Sequence, residues 1–369
     1  MKKVLSIALV LIMVLTIFAG CGAKKSDAKT IYVTGPTPDH GWTAQAGAYA
    51  EKKVNEINAA GKYKAVYMPA SSGEEQVDLV QTIIANGDAA GVVFFALEDS
   101  AKAGQEALIA QKIPFISFDR IIEGPDKYAI LNASGDNWQC GAGIAYWLQQ
   151  KGMMPGDTMI TLIGDNGTVC SRRQEGFEQF LKGEIEYYDE HTKTSYKTTQ
   201  AWTQEEIDAL CADYKVVCNW SADGAYDYLE QKLADITAAA KANNGKLFIF
   251  SQDDEMTFGV LRLLEGNALD AATKADLEAM EVYISAIGGM QELYDVMSGT
   301  AAQAPIAAKY FDDMMSVYFS PKMMTNVIGY MEDYLAGNWD YEVGAGKYEV
   351  VWIVDKNNVS EYERFTGHA

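Results

Sequence analysis

The sequence predicts an α/β protein built as two doubly wound parallel-sheet lobes. From Thr30 onward, short apolar runs alternate with longer amphipathic stretches, which is typical of βαβ units. The runs at 91–96 (GVVFFA) and 246–250 (KLFIF) are apolar without interruption, which indicates strands buried on both faces of a sheet. The chain of 369 residues is long enough for two lobes of ordinary domain size.

Strands and helices are predicted in alternation along the chain. The strands are expected at 30–34, 63–68, 91–96, 114–118, 159–163, 246–250 and 282–287. The helices are expected at 43–58, 74–86, 101–111, 138–151, 173–182, 225–243, 256–265 and 290–297. Residues 187–217 are polar and less regular, and we interpret them as an excursion in the second lobe. Ligands of such sheets bind beyond the carboxyl ends of the strands, so functional side chains are expected just after each strand.

The first 20 residues have the pattern of a signal peptide. A short basic start precedes an almost unbroken apolar run at 4–18, which is shorter than the ~20 residues of a membrane-spanning helix. The string Phe18-Ala19-Gly20-Cys21 resembles a bacterial lipobox, with Phe18 in place of the usual Leu. We predict that Cys21 is lipidated and that residues 21–29 form a flexible linker. The alternatives are ordinary secretion with cleavage nearby and an uncleaved anchor helix.

The chain is strongly acidic. Its formal net charge is −21, and loss of Lys2 and Lys3 with the signal peptide changes this charge to −23. Such a surface repels phosphate backbones, so no nucleic-acid partner is expected. No later segment is long and apolar enough to span a bilayer. The mature body is therefore predicted on the extracytoplasmic face of the cell membrane, held there by the lipid.

Four cysteines remain after Cys21. In an exported protein, Cys211 and Cys218 are the most plausible disulfide partners because they are close in sequence, and free thiols are the equal alternative. The chain has three histidines and no cysteine or histidine spacing of a zinc site. No loop with the alternating oxygen ligands of a calcium site is recognisable either. We expect neither a metal nor another cofactor.

Four segments form a characteristic set. Residues 76–120 combine a helix with an early Gln, a Gly-Asp turn, a buried strand and the strand end IPFISFDR; residues 163–180 hold a Gly loop followed by RQEGF. Residues 248–264 contain QDDEM between a strand and a helix, and residues 355–362 read DKNNVSEY. Together they resemble the sugar-binding proteins of bacterial ABC importers, with the ribose- and galactose-binding fold. Gly41-Trp42 and Asp119-Arg120-Ile121 resemble the galactofuranose-binding branch of that family.

This resemblance implies a type I periplasmic binding protein-like fold with a three-crossing hinge near Ser134, Gln303 and Gly337. The first lobe would comprise residues 30–134 and 304–336, and the second lobe residues 135–303 and 337–369. It also implies a monomeric lipoprotein that captures a monosaccharide in the cleft and delivers it to an ABC permease. The expected ligand is a pentose or hexose, with a galactose-like sugar favoured.

Candidate ligand-binding residues follow from the chemistry of a sugar ring, which has apolar C–H faces and a polar rim. Trp42 would stack on a ring face, with His40 adding a hydrogen bond. Asp119 and Arg120 end the strand at 114–118 and would make charge-assisted hydrogen bonds with hydroxyl groups. Arg173 matches the family's R-x-x-G-F arginine, and the neighbouring Arg172 is expected to point elsewhere.

The second half of the chain offers three further candidate ligand-binding residues, of which the resemblance implies Asp253 and Gln303. Asp253 stands where the family usually has Asn, and Asp254 is expected to cap the following helix. Gln303 matches the family's hinge-side Gln, and Trp220 is a candidate for the second stacking face. The largest departure is Gly288, which stands where the family commonly has an Asp ligand.

Three other functions are the alternatives to a transport protein. A sugar or autoinducer-type sensor that feeds a membrane receptor shares the predicted fold. A sugar-responsive repressor is excluded, because a signal peptide stands where a helix-turn-helix would be needed. A glycosidase would use Asp119 with Asp253, but the adjacent arginine is expected to lower the pKa of the proposed acid. We therefore predict a binding protein rather than an enzyme.

Overall fold

The computed structural model describes residues 30–37, 41–362, 364 and 365. The predicted signal peptide (1–20), the linker (21–29) with Cys21, and His40 lie outside the described residues. The described chain forms two six-stranded sheets and one two-stranded sheet. The predicted α/β architecture of two doubly wound lobes is confirmed.

The first lobe is built on a fully parallel sheet with the strand order β13-β5-β4-β3-β1-β2. Its early elements are β1 (Thr30–Pro36), α1 (Gly41–Ala60), β2 (Lys64–Ala70), α2 (Gly73–Asn86), β3 (Ala89–Phe95), α3 (Lys102–Ala110), β4 (Phe115–Phe118) and β5 (Leu131–Gly135). Two elements from the end of the chain join them, namely α12 (Met323–Ala336) and β13 (Gly346–Glu349).

The second lobe has the strand order β14-β12-β11-β10-β6-β9, and only the β12–β14 pair of this sheet is antiparallel. Its first half contains α4 (Asn137–Gln150), β6 (Thr158–Ile163), α5 (Thr168–Lys182), β7 (Tyr187–Asp189), β8 (Thr194–Tyr196), α6 (Gln204–Ala212), β9 (Lys215–Val217) and α7 (Ala222–Ala242). Its second half contains β10 (Lys246–Ser251), α8 (Asp254–Glu265), α9 (Ala271–Ala279), β11 (Glu281–Gly288), α10 (Gln291–Met297), α11 (Ala304–Tyr310), β12 (Asp313–Tyr318) and β14 (Trp352–Asp355).

Both faces of each sheet are buried, which explains the uninterrupted apolar runs. Along β3, Val93 and Phe95 join one hydrophobic cluster, whereas Val92 and Phe94 join the cluster on the opposite face. The strand β10 divides its residues between two clusters in the same way. Successive side chains of a strand point to opposite faces, so a strand covered on both sides must be apolar throughout.

The chain crosses between the lobes three times, but two crossings differ from the predicted positions. The first crossing follows β5, close to Ser134. The second lies between β12 and α12 rather than at Gln303, because β12 pairs with β11 in the second sheet. The third lies between β13 and β14 rather than at Gly337, because β13 pairs with β5 in the first sheet. Residues 304–318 therefore belong to the second lobe, and residues 337–349 lead back into the first sheet.

The excursion at 187–217 lies in the second lobe, as predicted. It contains the β7–β8 hairpin, the helix α6 and the edge strand β9, which pairs with β6. Thr203 and Glu206 form a reciprocal capping box that fixes the start of α6. Of the two alternatives for Cys211 and Cys218, the structure has free thiols rather than a disulfide. Among the described helices, none combines the length and the apolar character needed to cross a bilayer.

Candidate functional site

A cavity of about 140 Å³ lies between the two lobes, beyond the carboxyl ends of their strands. The strands β1, β3, β4, β10 and β11 each bring the residue at their end, or those that follow it, to its wall. Most of the lining is apolar or aromatic, and the charged groups come from both lobes. The lining residues are Pro36, Trp42, Thr43, Phe95, Ala96, Leu97, Asp119, Arg120, Val169, Arg173, Trp220, Asp253, Glu255, Ile287, Gly288 and Phe319.

The first-lobe wall is a group of packed aromatic rings. Trp42, at the start of α1, stacks on Phe118 and meets the edge of Phe95, with ring centroids 6.3 and 5.8 Å apart. Its indole N–H donates a hydrogen bond to the carbonyl oxygen of Phe319 at 2.7 Å, which connects α1 to the second crossing. Because the ring position is fixed by both packing and a hydrogen bond, the indole presents a rigid apolar surface to the cavity.

Asp119 follows β4 and occupies the left-handed region of the backbone, with φ at 61°. Its main chain is held by hydrogen bonds with the Ala133 carbonyl and the Ser134 hydroxyl, while its carboxylate lines the cavity. Burial raises the pKa of this carboxyl group despite the opposing charges of Arg173 and Arg120. The adjacent Arg120 does act to lower this pKa, as expected, but burial is the larger effect and the net pKa is raised.

Arg120 reaches across the cleft to Asp165, which follows β6 in the second lobe. Its guanidinium donates to both carboxylate oxygens of Asp165, at 2.6 and 3.5 Å. Burial alone would raise the pKa of Asp165, but the charge and hydrogen bonds of Arg120 outweigh it and lower the pKa. Gly167 makes room for this contact, since a Cβ there would lie 1.7 Å from Arg120 Nη1. The two lobes are thus joined by a fork-shaped ion pair.

Trp220 adds an indole to the second-lobe side of the cavity. Its N–H donates to Asp165 at 3.0 Å, and a Cβ at Gly164 would lie 2.2 Å from its ring. Asn219 and Trp220 both have positive φ, at 53° and 56°, which is unusual for a bulky side chain. Such strained backbone persists only where surrounding contacts impose it, and it concentrates at functional sites.

Arg173 is buried on α5 and its guanidinium is held by two acceptors of the second lobe. Nε donates to Asn137 Oδ1 at 2.9 Å, and Nη1 donates to the Gln252 carbonyl at 2.5 Å. The guanidinium also lies over the rings of Trp220 and Phe319, 5.6 and 5.3 Å from their centroids. Arg172 points elsewhere, as predicted, and stacks on the Trp138 ring instead. The helix begins at Thr168, so Arg173 lies inside it rather than at its predicted start.

Asp254 is expected from the sequence to cap α8, but Asp253 has this role in the structure. Asp253 is the N-cap of α8, accepting the Glu255 N–H at 2.9 Å, and it also lines the cavity. Asp254 is fully buried and accepts hydrogen bonds from the Gly289 and Met290 N–H groups and from the Ser316 hydroxyl. Burial raises the pKa of both groups, to about 6 for Asp254.

Close packing explains why a glycine occupies position 288 in this chain. A Cβ at that position would lie 2.6 Å from Asp254 Oδ2, the oxygen that holds the Gly289 and Met290 N–H groups. A side chain at Gly288 would therefore displace the carboxylate that fastens the end of β11. A ligand carboxylate at position 288 is therefore incompatible with the buried position of Asp254.

Comparison with known families identifies the chain. Residues 31–311 match the family described as a periplasmic binding protein domain. The chain belongs to this family. No curated protein shows significant similarity to it.

Solved structures share the fold of this periplasmic binding protein at low sequence identity. The arabinose-transporter component from Shewanella sp. ANA-3, bound to arabinofuranose, is 16% identical, with 90% of this chain and 94% of that chain covered and a TM-score of 0.63. A galactofuranose-binding protein is 14% identical, with 90% and 96% covered and a TM-score of 0.65. The Caulobacter myo-inositol binding protein is 15% identical, with 93% and 98% covered and a TM-score of 0.65. The galactofuranose branch is therefore one of several with comparable similarity.

The structure brings most of the predicted site residues of this periplasmic binding protein together. Trp42, Asp119, Arg120, Arg173, Trp220 and Asp253 all line the cavity. Gln303 does not, because it precedes α11 in the second lobe and lies in a neighbouring surface pocket with Phe258 and Glu292. Within the described part of the chain, no group of three or more His, Cys, Asp or Glu side chains is arranged to hold a metal ion.

Sequence reasoning missed three residues that shape this site. Asp165 pairs with Arg120, Asn137 holds Arg173, and Phe319 forms part of the aromatic wall. Asp165 follows a predicted strand at 159–163, so its place beyond a strand end was the available signal. Phe319 gave no such signal, because β12 was not among the predicted strands.

Proposed function

We propose that this periplasmic binding protein is an extracytoplasmic lipoprotein that captures one monosaccharide between its lobes and delivers it to an ABC permease. The observation that carries this proposal is a single cavity lined by two indoles, Trp42 and Trp220, and by charged groups of both lobes, among them Asp119 and Arg173. A sugar ring needs such a combination, because its C–H faces are apolar and its rim is polar.

The size of the cavity favours a single ring. Its volume is about 140 Å³, and a protein cavity of ~150 Å³ accommodates one benzene molecule. A disaccharide would need about twice that space. Arg120 also supports a polar ligand, because its buried Nε has no acceptor among the described residues. An unsatisfied buried donor beside a cavity gains a hydrogen bond when a hydroxyl oxygen enters.

Binding would be coupled to closure of the lobes about the three crossings. A ligand that contacts Trp42 on one side and Arg173 on the other makes both sets of contacts only when the lobes are together. It therefore shifts the population towards the closed form. The closed protein would then be the form that a permease recognises, and affinity in the micromolar range, about −8 kcal/mol, suits capture followed by release.

The lipid anchor is a separate part of the proposal. We expect cleavage before Cys21, lipidation of its thiol and retention of the mature monomer at the outer face of the cell membrane. Metabolic labelling with a radioactive fatty acid tests this directly. Label should enter the native chain and be absent from Cys21→Ser, which should also leave the membrane fraction. Equal labelling of both chains would contradict the anchor.

A binding role without catalysis is proposed because the family is one of binding domains. The raised pKa of Asp119 nevertheless removes the electrostatic argument against a glycosidase. Incubation with chromogenic glycosides decides the matter, and we expect no release of the chromophore. A sensor that signals to a membrane receptor would bind the same sugars, so only its protein partner distinguishes it from a transport component.

The decisive experiment is a thermal-unfolding screen of the full chain against pentoses, hexoses, their furanose forms and inositols. A true ligand at 100 times its dissociation constant should raise the free energy of unfolding by about 2.7 kcal/mol. The same ligand should stabilise Trp42→Leu less, while the control Trp339→Leu, outside the cavity lining, should respond like the native chain. If no carbohydrate raises the melting temperature, the proposal fails.

A further inference from the structure

The cavity contains more acidic groups than free cationic ones. Arg120 is neutralised by Asp165 at 2.6 Å and has a second carboxylate, that of Asp99, at 3.5 Å. The guanidinium of Arg173 is the remaining cation of the lining, and it already donates to Asn137 and Gln252. Asp119 and Asp253 therefore face the cavity without a cation bonded to either. The formal charges of the residues that line the cavity therefore sum to a negative value.

The carboxylate of Asp119 is available to a ligand. Among the described residues, no side-chain or backbone group donates a hydrogen bond to it, although its own backbone N–H and carbonyl are both satisfied. Burial raises its pKa, because the charges of Arg173 and Arg120 offset only part of the cost of removing its ionised form from water. A positively charged group entering the cavity would offset more of this cost.

Asp253 presents a second carboxylate to the same cavity. Its Oδ1 accepts the Glu255 N–H, whereas Oδ2 receives no hydrogen bond from the described residues. The neighbouring charge of Asp254 adds to the effect of burial, and both raise the pKa of Asp253. Two carboxylates that are hard to ionise thus line one small space, and a cation between the lobes would stabilise both.

The aromatic lining is also suited to a cation. Trp42, Phe95, Trp220 and Phe319 surround the cavity, and the faces of aromatic rings attract positive charge. The guanidinium of Arg173 already uses the rings of Trp220 and Phe319 in this way. At a distance, the net charge of −21 favours the approach of cationic over anionic molecules.

We propose that the ligand is an amino sugar, a single monosaccharide ring whose protonated amine is bound by the carboxylates of Asp119 and Asp253. This inference rests on the proposed function and narrows its substrate class. The C–H faces of the ring would contact the indoles of Trp42 and Trp220. Hydroxyl oxygens would accept from the buried Nε of Arg120, which has no partner among the described residues.

Titration calorimetry at pH 7 with matched sugars tests the inference. The probes are D-glucosamine and D-galactosamine, their neutral N-acetyl forms, and the parent sugars glucose and galactose. We expect one amine to bind the native full chain at least tenfold more tightly than both its N-acetyl form and its parent sugar, a difference of ~1.4 kcal/mol. Asp119→Asn and Asp253→Asn should each remove most of this preference, because each loses a charge but keeps its shape.

Glu123→Gln is the control, since Glu123 is an exposed carboxylate of the first lobe outside the cavity lining. It should retain the full preference for the amine. Thermal melts check that every variant is folded. If either Asp119→Asn or Asp253→Asn fails to fold, the other variant still tests the inference.

Binding of glucose or galactose as tightly as the amines would overturn the inference and leave the proposed function standing. Binding of no carbohydrate of any kind would overturn both. A preference for the amine that survives in both Asp119→Asn and Asp253→Asn would show that other groups bind the amine, and would also overturn the inference.

Discussion

The two walls of the cavity are built by different physical means. The aromatic part of the first-lobe wall is formed by Trp42 and Phe95, backed by Phe118, and the positions of these rings are set mainly by contacts between them. The second-lobe wall contains Arg173, which is held by two buried hydrogen bonds, and Asp253, which accepts a partly buried one. Ring packing depends on area and shape more than on individual hydrogen-bonding atoms. A buried polar network tolerates no missing member.

This difference predicts how each wall responds to change. Truncating a ring removes apolar contact and, for Trp42, one hydrogen bond to the Phe319 carbonyl. Truncating a member of the polar network leaves its partners buried without hydrogen bonds, at a cost of ~1–3 kcal/mol for each. Substitutions in the second-lobe wall should therefore affect both stability and binding, and substitutions of Trp42, which is only partly buried, should affect mainly binding.

Among the substitutions that test this contrast, Asp254→Ala should have the largest effect on stability. Asp254→Ala should lower the free energy of unfolding by roughly 3 kcal/mol, because the Gly289 and Met290 N–H groups would be left buried without an acceptor. Urea unfolding of the full chain measures the change. A loss below about 1 kcal/mol would contradict the claim that this carboxylate fastens the end of β11.

Asp254→Asn is the matched control. Its amide oxygen can accept from both N–H groups, and its amide nitrogen can donate to Ser316, so it should be much less destabilised than Asp254→Ala. Burial raises the pKa of Asp254 from 3.8 to about 6, so folding favours its protonated form. The stability this gives is present below the ordinary pKa and is lost as pH rises through about 6. The decrease in urea midpoint between pH 4 and pH 7 should be smaller in Asp254→Asn, which has no such proton.

Arg173→Met should have the next largest effect, this time on binding. Loss of the guanidinium removes a charge-assisted donor and leaves Asn137 Oδ1 and the Gln252 carbonyl without it, so sugar affinity should fall by about 2–3 kcal/mol. Calorimetry with the ligand found in the screen measures this. Arg172→Met is the control, since Arg172 lies over Trp138 and outside the cavity lining. Equal losses in the two variants would show that general charge, rather than the network, is responsible.

The sequence predicts some parts of the fold and site and not others, and the difference lies in whether local pattern or contact between distant segments places a residue. Strands and helices with strong periodic or uninterrupted apolar patterns were predictable, and so were residues that directly follow such strands, among them Asp119 and Asp253. The partners of these residues were not. Arg120 pairs with Asp165 across the cleft, and only the relative position of two distant segments makes that contact possible. Gln303 was misassigned because the return of β12 to the second sheet has no local sequence signal.

Trp42→Leu tests the first-lobe wall and should have a smaller effect. The loss of a ring face should weaken sugar binding by about 1.5 kcal/mol, roughly tenfold. The urea midpoint should change less than in Asp254→Ala, because Trp42 is only partly buried, Leu keeps part of its apolar contact, and a single hydrogen bond, to the Phe319 carbonyl, is lost. Trp42→Phe should retain part of the affinity. A larger loss of stability than in Asp254→Ala would contradict the proposed contrast between the walls.

The ion pair between Arg120 and Asp165 is where the two walls meet, and its removal should have the smallest effect. Water partly screens the pair, because the Asp165 side chain is 27% exposed, and in Asp165→Asn the amide oxygen can still accept from Arg120 while Asp99 stays 3.5 Å from its guanidinium; closure should therefore weaken by only about 1 kcal/mol. Small-angle scattering without ligand should show a larger radius of gyration, and added salt should expand the native chain in the same direction. Glu332→Gln is the control, because the Lys53–Glu332 pair has the same 2.6 Å separation but joins two helices of one lobe. Expansion of both variants would mean that overall charge opens the cleft, whereas expansion of Asp165→Asn alone would show that this contact holds the lobes together.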